Sequence, residues 1–353
     1  MNEFKNLQER DGDLINNWYI ACLSSELNES PFECVIYEKK LVLFRDQDKK
    51  SICLENRCIH RAAELSKGEV IKGALHCPYH GWVYDKLGEV IHVPSEGEKI
   101  VKGKRCQKSF PTIEQDGVIW VYMGDKETMN SVSPWVFPMY KEDGWSHYFM
   151  VTDFNNEVTN LVENFMDVPH TVYVHKGWFR NKSLINVPIT VETKEGEVLV
   201  TYHQKNDNIG VLIKPLLNPH NDPMEHTDKF IFPNTTRVDY SFGKNYKYII
   251  NSSCTPVGEM RTRVYTFIAY KIPIFGKILR PFIHFYTRKV IEQDVLIMDI
   301  QGRNIDPQKN NQSFTSTPAD EPHLQIERLR SMGIKGDRDL YQVSKKSELE
   351  ISI

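Results

Sequence analysis

The sequence lacks the features of a secreted, disulfide-bonded or nucleic-acid-binding protein. Its first residues, MNEFKNLQERDGDL, contain no apolar core of the kind that a secretory signal peptide needs. Lys and Arg total 44 and Asp and Glu total 47, a net charge of −3, so no positive excess indicates a nucleic acid as partner. The seven cysteines among 353 residues are too dispersed for a disulfide framework. We therefore expect a cytoplasmic protein that binds no nucleic acid.

A long uncharged hydrophobic run is also missing. The most apolar stretch is residues 267–286, FIAYKIPIFGKILRPFIHFY, which contains three basic residues and two prolines. It falls short of the ~20 apolar residues that a transmembrane helix requires. This pattern is compatible with three roles for the segment: contact with a membrane surface, a substrate entrance, or a loop beside a core strand.

Two regions of different pattern follow one another along the chain. Residues 17–132 contain short apolar or alternating runs separated by turn residues, which is typical of a small all-β barrel or sandwich. Pro134 and Pro138 indicate a domain junction. We expect residues 1–16 to form an N-terminal tail and residues 133–353 to form a second domain.

The second domain combines strand and helix patterns. Residues 187–270 predict one large antiparallel sheet. Helices are predicted over residues 158–175, 288–301 and 319–331, the first of them disturbed by Pro169. The charged tail from residue 335 onward is expected to fray. The predicted fold class is therefore α+β, an all-β domain followed by a large antiparallel sheet flanked by helices.

Two short motifs each pair one cysteine with one histidine. Cys58 and His60 form a C-x-H motif, and sixteen residues later Cys77 and His80 form a C-x-x-H motif. Two such loops facing each other would present two sulfurs and two nitrogens, the ligand set of a Rieske [2Fe–2S] centre. A structural zinc ion bound by the same four residues is the main alternative. A Cys58–Cys77 disulfide would leave both histidines without a role.

The segment CIHRAAELSKGEV…LHCPYHGWVYDKLGEV resembles the Rieske domain of ring-hydroxylating oxygenases, in which a CPHRG-like box precedes a CPYHGW-like box. Ile59 stands where that family usually has proline, and Ala62 where it usually has glycine; neither position is a ligand. Respiratory Rieske proteins carry an additional cysteine in each loop, and this sequence has none there. The resemblance implies the terminal (alpha) subunit of a Rieske non-haem iron oxygenase.

A second constellation follows in the next domain. Glu163, Asp167, His170 and His175 lie within one predicted helix. Two imidazoles and one carboxylate form the facial triad of non-haem Fe(II) oxygenases. On an ideal helix two histidines five residues apart would point about 140° apart, so the helix must be distorted, as Pro169 permits. Structural histidines remain the alternative, but the spacing resembles the family's iron-binding motif.

The third ligand has to come from another segment. The helix KVIEQDVLIMDIQGRN contains the candidates Glu292, Asp294 and Asp299. Asp294 lies on the apolar face, where an unpaired carboxylate is costly, whereas Asp299 can pair with Arg303 four residues later. The EQD box also resembles the family segment that supplies this aspartate. We therefore predict Asp294 as the ligand; a buried aspartate paired with Arg288 is the alternative.

Asp167 is predicted to connect the two centres. Three residues before His170 on a helix, its carboxylate would accept a hydrogen bond from that imidazole. In the family that the sequence resembles, this aspartate also bridges to a Rieske histidine of the neighbouring subunit. The resemblance therefore implies a head-to-tail homotrimer.

The resemblance also implies an activity. An enzyme of this family uses O₂ and electrons from a ferredoxin or flavin reductase, which draws on NAD(P)H, to hydroxylate, demethylate or desaturate an organic substrate. We favour monooxygenation over dioxygenation, and the aromatic residues at 267–286 favour a bulky apolar substrate. The alternative is a Rieske electron carrier without mononuclear iron; the long region after Pro134 exceeds what a cluster domain needs.

Overall fold

The computed structural model describes residues 14–97, 105–178, 185–203, 213–273, 276–305 and 314–352. The chain divides into two compact units. Residues 15–136 form the first unit and residues 137–353 belong to the second. The domain boundaries drawn from the sequence remain a prediction.

The first unit is built from β-strands, as the short apolar runs predicted. Its described strands are β1 (Asn17–Leu23), β2 (Phe32–Ile36), β3 (Lys39–Arg45), β4 (Ser51–Glu55), β5 (Glu69–Ile71), β6 (Ala74–His76), β7 (Val83–Tyr84), β8 (Val90–His92), β9 (Ser109–Phe110), β10 (Thr112–Gln115) and β11 (Val118–Met123). They form three antiparallel sheets, in the orders β1-β11-β10, β2-β3-β4-β9 and β5-β6-β7-β8. All six residues of β11 are buried, so this strand lies in the core of the unit.

A tight hairpin between β5 and β6 leads into the second Cys-His motif. Lys72 and Gly73 form its two-residue turn, with φ angles of 51° and 76°. Positive φ at both positions is the mark of a type I′ turn, whose twist matches that of the flanking strands. A side chain at Gly73 would clash with the backbone of Gln47, so the turn requires glycine there.

The second unit contains one eight-stranded antiparallel sheet, which confirms the predicted large sheet. Its strands are β12 (Ser146–Phe154), β13 (Asn186–Lys194), β14 (Glu197–Tyr202), β15 (Met224–Ile231), β16 (Thr235–Phe242), β17 (Tyr246–Gly258), β18 (Arg261–Lys271) and β19 (Lys345–Ser352). Their order is β12-β18-β17-β16-β15-β14-β13-β19, so the sheet follows chain order except at its two edges.

Helices accompany this sheet. The α-helices in the described residues are α1 (Val158–Met166), α2 (Thr171–Val174), α3 (Lys214–Leu217), α4 (Gly276–Gly302) and α5 (Glu321–Ile334). The single helix expected over residues 158–175 is in fact two, because the chain leaves helical geometry at Asp167 (φ −95°, ψ 99°). Helix α4 begins twelve residues earlier than predicted and tolerates Pro281 within it. No helix in the described part of the chain is long and apolar enough to cross a bilayer.

The charged C-terminal tail was expected to fray, and this expectation is wrong. Residues Lys345–Ser352 form the edge strand β19, which pairs with β13 over eight residue pairs. Ile351 is buried opposite Val187, while most of the charged residues of β19 face solvent. Alternating charges therefore mark the outer face of an edge strand rather than a disordered tail.

Candidate metal centres

The two Cys-His motifs form loops with the same hydrogen-bond pattern. The N–H of Cys58 donates to the carbonyl of Ala63 (2.8 Å), and the N–H of Ala62 donates to the carbonyl of Cys58 (2.9 Å). In the second loop Cys77 donates to the carbonyl of Trp82 (2.8 Å) and receives the N–H of Gly81 (3.1 Å). Each loop is thus closed around its cysteine by bonds to the fourth and fifth residues after it.

The equivalent position of the two loops has left-handed backbone geometry. Gly81 has φ 68° and Ala62 has φ 56°. An L-residue with a side chain pays about 1–2 kcal/mol for this conformation, which explains why a glycine is the easier residue at Ala62. The departure from the family pattern at this position therefore strains the loop locally but leaves its closing hydrogen bonds intact.

The four predicted ligands divide by burial. Cys58 and Cys77 are buried, His60 is half-buried and His80 is exposed. The rings of His60 and His80 lie 4.6 Å apart between centroids. Burial raises the pKa of the Cys77 thiol, and its contact with Cys58 acts in the same direction, while backbone N–H groups of Tyr79 and His80 oppose them. The sulfurs thus lie inside the unit and the imidazoles towards its surface.

This donor set fits a two-iron cluster better than the alternatives. All seven cysteines are free thiols, so no Cys58–Cys77 disulfide forms. A single zinc ion needs its donors to converge on one point. Among the described residues, the only group of three or more such donors within 4.8 Å of one another is elsewhere, at His170, His175 and Asp294. A [2Fe–2S] cluster instead takes its ligands in two pairs, and the unpartnered, buried Nδ1 of His60 is suited to such a role.

Tyr84 is a neighbour of the first motif that the sequence analysis missed. Its hydroxyl accepts a hydrogen bond from the N–H of Ile59 (3.1 Å) and lies 3.1 Å from Sγ of Cys58. Because the lone pair faces Ile59, the hydroxyl proton is available to the sulfur. Trp82 packs against one of the predicted histidine ligands: its indole stacks on the ring of His60, with a centroid distance of 4.7 Å and an interplanar angle of 3°. No local sequence signal distinguishes Tyr84 from an ordinary core tyrosine.

The break after α1 brings the two histidines of the second constellation together. His170 immediately precedes the one-turn helix α2 and His175 immediately follows it. Their Nε2 atoms lie 3.2 Å apart, although an ideal helix would direct the two rings away from each other. The helix distortion that the spacing required is therefore the non-helical segment between α1 and α2, which contains Pro169.

Asp294 completes the group from helix α4. Its Oδ1 lies 3.1 Å from Nε2 of His175 and 3.5 Å from Nε2 of His170. The residue is 8% exposed, as its place on the apolar face predicted. Arg288 instead donates to the hydroxyl of Thr152 at 3.2 Å. The structure thus brings together all three residues predicted to bind the mononuclear iron.

Gln293 determines which nitrogen of His175 carries the proton. Its amide oxygen lies 2.9 Å from Nδ1 of His175, and because an amide oxygen only accepts, Nδ1 must donate. In the neutral ring Nε2 then presents a lone pair to Oδ1 of Asp294, which is buried without a hydrogen-bond partner. Two lone pairs at this distance repel unless a cation lies between them. The group therefore fits a metal ion.

The charges at this site are coupled. Burial opposes the charged form of Asp294, but the neighbouring imidazoles of His170 and His175 outweigh burial and lower its pKa. Burial likewise lowers the pKa of His170, and the carboxylates of Asp294 and Asp167 raise it to a value above the ordinary one. The pocket thus favours a carboxylate beside positive charge, which is the electrostatic setting of a cation site.

Asp167 lies beside His170 but does not form the hydrogen bond that a helix would allow. Its carboxylate is 3.8 Å from Nδ1 of His170, and that nitrogen is buried without a hydrogen-bond partner. The reason is that α1 ends at Met166, so Asp167 leaves the helical path. The bridging role of Asp167 between subunits remains a prediction.

A cavity of about 110 Å³ opens over the His170, His175 and Asp294 group. Its apolar wall consists of Phe154, Phe165, Val238, Ile250, Val290 and Ile291. Hydroxyl side chains supply most of its remaining lining. Among the described residues, no lysine, arginine or glutamate lines the cavity. The imidazoles and the carboxylate that do line it belong to the three predicted ligands.

Comparison with known families supports both centres. The family described as "Rieske [2Fe-2S] domain" matches residues 17–111, and "Vanillate O-demethylase oxygenase C-terminal domain" matches residues 154–332, about half of the chain. The chain belongs to the Rieske non-haem iron oxygenases. A [2Fe–2S] cluster and a mononuclear iron are the cofactors of this family, as the two motifs predicted.

Individual relatives are more distant. The oxygenase component of dicamba O-demethylase from Stenotrophomonas maltophilia is 31% identical over 60% of this chain and 62% of its own length. A putative toluene-4-sulfonate monooxygenase iron-sulfur subunit from Comamonas testosteroni is 30% identical over 56% of this chain and 58% of its own. The matches therefore span about three-fifths of these relatives.

Solved structures cover more of the chain. Dicamba monooxygenase bound to dicamba matches 92% of this chain and 98% of its own, with a TM-score of 0.78 at 20% identity. A Pseudomonas putida NdmA variant with caffeine matches 96% and 98%, with a TM-score of 0.77 at 18% identity. At such identities the likeness shows the fold, and it confirms the predicted α+β architecture.

Proposed function

We propose that the chain is the terminal oxygenase component of a multicomponent system and that it monooxygenates a small organic substrate. The observation that carries this proposal is the convergence of His170, His175 and Asp294 within 4.8 Å beneath a cavity. A Rieske electron carrier would have no use for a second metal group with a cavity above it. The same chain carries the Cys58, His60, Cys77 and His80 set, so both centres belong to one polypeptide.

The residues around each centre have separable roles. Cys58, His60, Cys77 and His80 would hold the [2Fe–2S] cluster, and His170, His175 and Asp294 would hold Fe(II). When bound, the cluster supplies single electrons and the ferrous ion supplies the position at which O₂ reacts. Gln293 keeps the proton of His175 on Nδ1 and its lone pair directed inwards. The apolar wall of the cavity holds the substrate and excludes bulk water.

Electrons would come from a separate protein. Relatives of this chain are named as an oxygenase component and as an iron-sulfur subunit of a monooxygenase system, which implies partner proteins in those systems. We infer a ferredoxin or flavin reductase here too, with NAD(P)H as the indirect source. The exposed edge of His80 suits electron entry. A homotrimer, in which Asp167 bridges to a Rieske histidine of the neighbouring copy, completes the proposal.

The cavity indicates the size and reaction of the substrate. At about 110 Å³ it is comparable with the engineered cavity of about 150 Å³ that admits benzene, so it suits one substituted aromatic ring. Two relatives are named as O-demethylases, of dicamba and of vanillate. We infer oxidative demethylation or hydroxylation of an aromatic ring compound. The bulkier substrate expected from the sequence remains a prediction.

The location and surface contacts are proposals as well. Seven free thiols suit a reducing compartment, which supports the cytoplasm. The stretch at residues 267–286 is divided between strand β18 and helix α4, and the helical part exposes Ile278, Phe282 and Phe285. These exposed apolar side chains support a contact between that segment and a membrane surface.

Removal of Asp294 tests the function. The purified protein should hold about three irons per chain, and Asp294→Ala about two, with the Rieske absorption and paramagnetic spectra unchanged. With a surrogate reductase, O₂-dependent products from a panel of methoxyarenes, detected by mass spectrometry, should disappear in Asp294→Ala. Asp299→Ala is the matched control, because Asp299 lies on the same helix but bonds to Asn155 and Arg303.

One result would overturn the proposed function, and another would revise its site. About two irons per chain in the unmodified protein would favour the electron carrier. Unchanged O₂-dependent product formation in Asp294→Ala would remove Asp294 from the centre.

A further inference from the structure

At one wall of the cavity, the structure determines which hydroxyl groups donate and which accept hydrogen bonds. Thr287 of α4 lines the cavity, and its hydroxyl takes part in three hydrogen bonds. Tyr148 of β12 donates to its Oγ1 at 3.1 Å, and the hydroxyl of Tyr248 of β17 lies 2.7 Å from the same atom. The Thr287 hydroxyl itself donates to the carbonyl of Ile283 at 2.8 Å.

These contacts assign the direction of the Tyr248 hydrogen bond. A threonine hydroxyl has one proton and two lone pairs. The proton of Thr287 is committed to Ile283, and one lone pair receives Tyr148. Tyr248 must therefore donate to the second lone pair. Its own oxygen keeps its acceptor capacity but has no proton left for a ligand.

The hydroxyl of Tyr286, which also lines the cavity, has likewise already donated its proton. Its hydroxyl lies 2.6 Å from the backbone carbonyl of Trp178, and a carbonyl only accepts, so Tyr286 donates. Burial raises the pKa of both Tyr248 and Tyr286, so neither phenol ionises near neutral pH. Both of these lining tyrosines therefore carry neutral phenolic oxygens that can act only as acceptors, because their protons are already used.

We propose that Tyr248 and Tyr286 select an uncharged aromatic substrate that carries an O–H or N–H group, which donates a hydrogen bond to one of the two phenolic oxygens. A carboxylate would meet acceptors there and no lysine or arginine among the described lining residues. A methoxy or carbonyl group in the same position would offer no proton to either oxygen. This inference rests on the proposed function, in which the cavity is the substrate site.

Binding of isosteric probes tests the proposal without turnover. Guaiacol carries a phenol group, 2-methylanisole replaces that hydroxyl with a methyl group of similar size, and 2-methoxybenzaldehyde offers an acceptor. Titration calorimetry of each probe into the iron-loaded protein, anaerobic and without reductant, gives three dissociation constants. We expect guaiacol to bind about tenfold more tightly than 2-methylanisole, which corresponds to about 1.4 kcal/mol, because the methyl group leaves a buried acceptor without a donor.

Variants identify the atoms responsible. Tyr248→Phe and Tyr286→Phe should each reduce the preference for guaiacol, and the double variant should abolish it. Tyr148→Phe is the matched control, because Tyr148 bonds to the same threonine but does not line the cavity; its preference should stay unchanged. Thr287→Val frees the Tyr248 proton, so 2-methoxybenzaldehyde should gain affinity relative to guaiacol. Thermal unfolding midpoints confirm that each variant is folded.

The outcomes separate this inference from the proposed function. Equal affinities for guaiacol and 2-methylanisole, binding of none of the probes, or a preference that survives the double variant would overturn the inference. O₂-dependent product formation without any such preference would leave the oxygenase function standing. A hydroxyl preference that follows the variants as described would support the inference even if no product formed, and only the oxygenase proposal would then fail.

Discussion

The amide oxygen of Gln293 accepts the Nδ1 proton of His175 at 2.9 Å, from the position next to Asp294 in the chain. One segment of helix α4 therefore provides both a predicted iron ligand and the group that orients another. Partners of this kind hold metal-bound imidazoles in place and raise their basicity. Gln293 is thus a positioning residue for the mononuclear centre.

Loss of this hydrogen bond should weaken iron binding. Gln293→Leu removes the acceptor, so the His175 ring can rotate or change tautomer, and we expect the affinity for Fe(II) to fall about 10–100-fold. Iron retained during dialysis against a graded chelator series measures the change. Gln293→Glu, which keeps an acceptor, should recover most of the affinity. Glu292→Gln is the control, because Glu292 is paired with Lys289 on the exposed side of the helix. Equal iron retention in Gln293→Leu would refute this role.

Tyr84 should raise the reduction potential of the Rieske cluster. A hydrogen bond from its hydroxyl to Sγ of Cys58 stabilises the more negative, reduced state. Tyr84→Phe should therefore lower the midpoint potential by some tens of millivolts, since about 1.4 kcal/mol corresponds to about 59 mV for one electron. Spectroelectrochemical titration measures the shift. Tyr122→Phe, whose hydroxyl bonds to Thr128 instead, should leave the potential where it was. A potential that does not move in Tyr84→Phe would exclude the sulfur contact.

Asp167→Asn should separate metal binding from electron delivery. The substitution keeps the size of the side chain and removes its charge, and Asp167 is not among the three converging donors. We expect both metal centres to load normally and product formation to slow about tenfold or more. Iron content, the Rieske spectrum, and single- and multiple-turnover rates are the measurements. Glu259→Gln, an exposed turn residue, is the charge control. Unaltered rates in Asp167→Asn would contradict the bridging role.

The sequence was most informative where function depends on short-range spacing. The two Cys-His motifs could be identified as ligand sets from the sequence alone; they contain Cys58, His60, Cys77 and His80. Asp294 was found because one helix face is apolar and an unpaired charge there is costly. These signals are local, and the structure buries Asp294 beside His170 and His175.

The remainder depended on tertiary contacts that no local pattern reports. Gln293 and Tyr84 are ordinary residues until the fold sets them beside His175 and Cys58. The hydrogen bond predicted for Asp167 failed because helix α1 ends one residue before it. Strand β19 was missed because its partner, β13, lies about 160 residues away in the chain, and hydrophobic periodicity alone could not reveal that pairing.

The edge strand β19 should contribute measurably to the stability of the second unit. Ile351 is 5% exposed and packs in the same core as Val187, Ile189 and Leu329, whereas the adjacent Glu350 is exposed. Ile351→Ala should cost about 2–5 kcal/mol, because it removes buried methyl groups and leaves a cavity. At about 2–4 °C per kcal/mol, the calorimetric transition of this unit should move down by about 4 °C or more. Glu350→Ala should shift it by far less, because solvent already surrounds that side chain. If both variants unfolded at the same temperature, the tail would not be an ordered strand in solution, and the fraying first expected from its charge would be the better description.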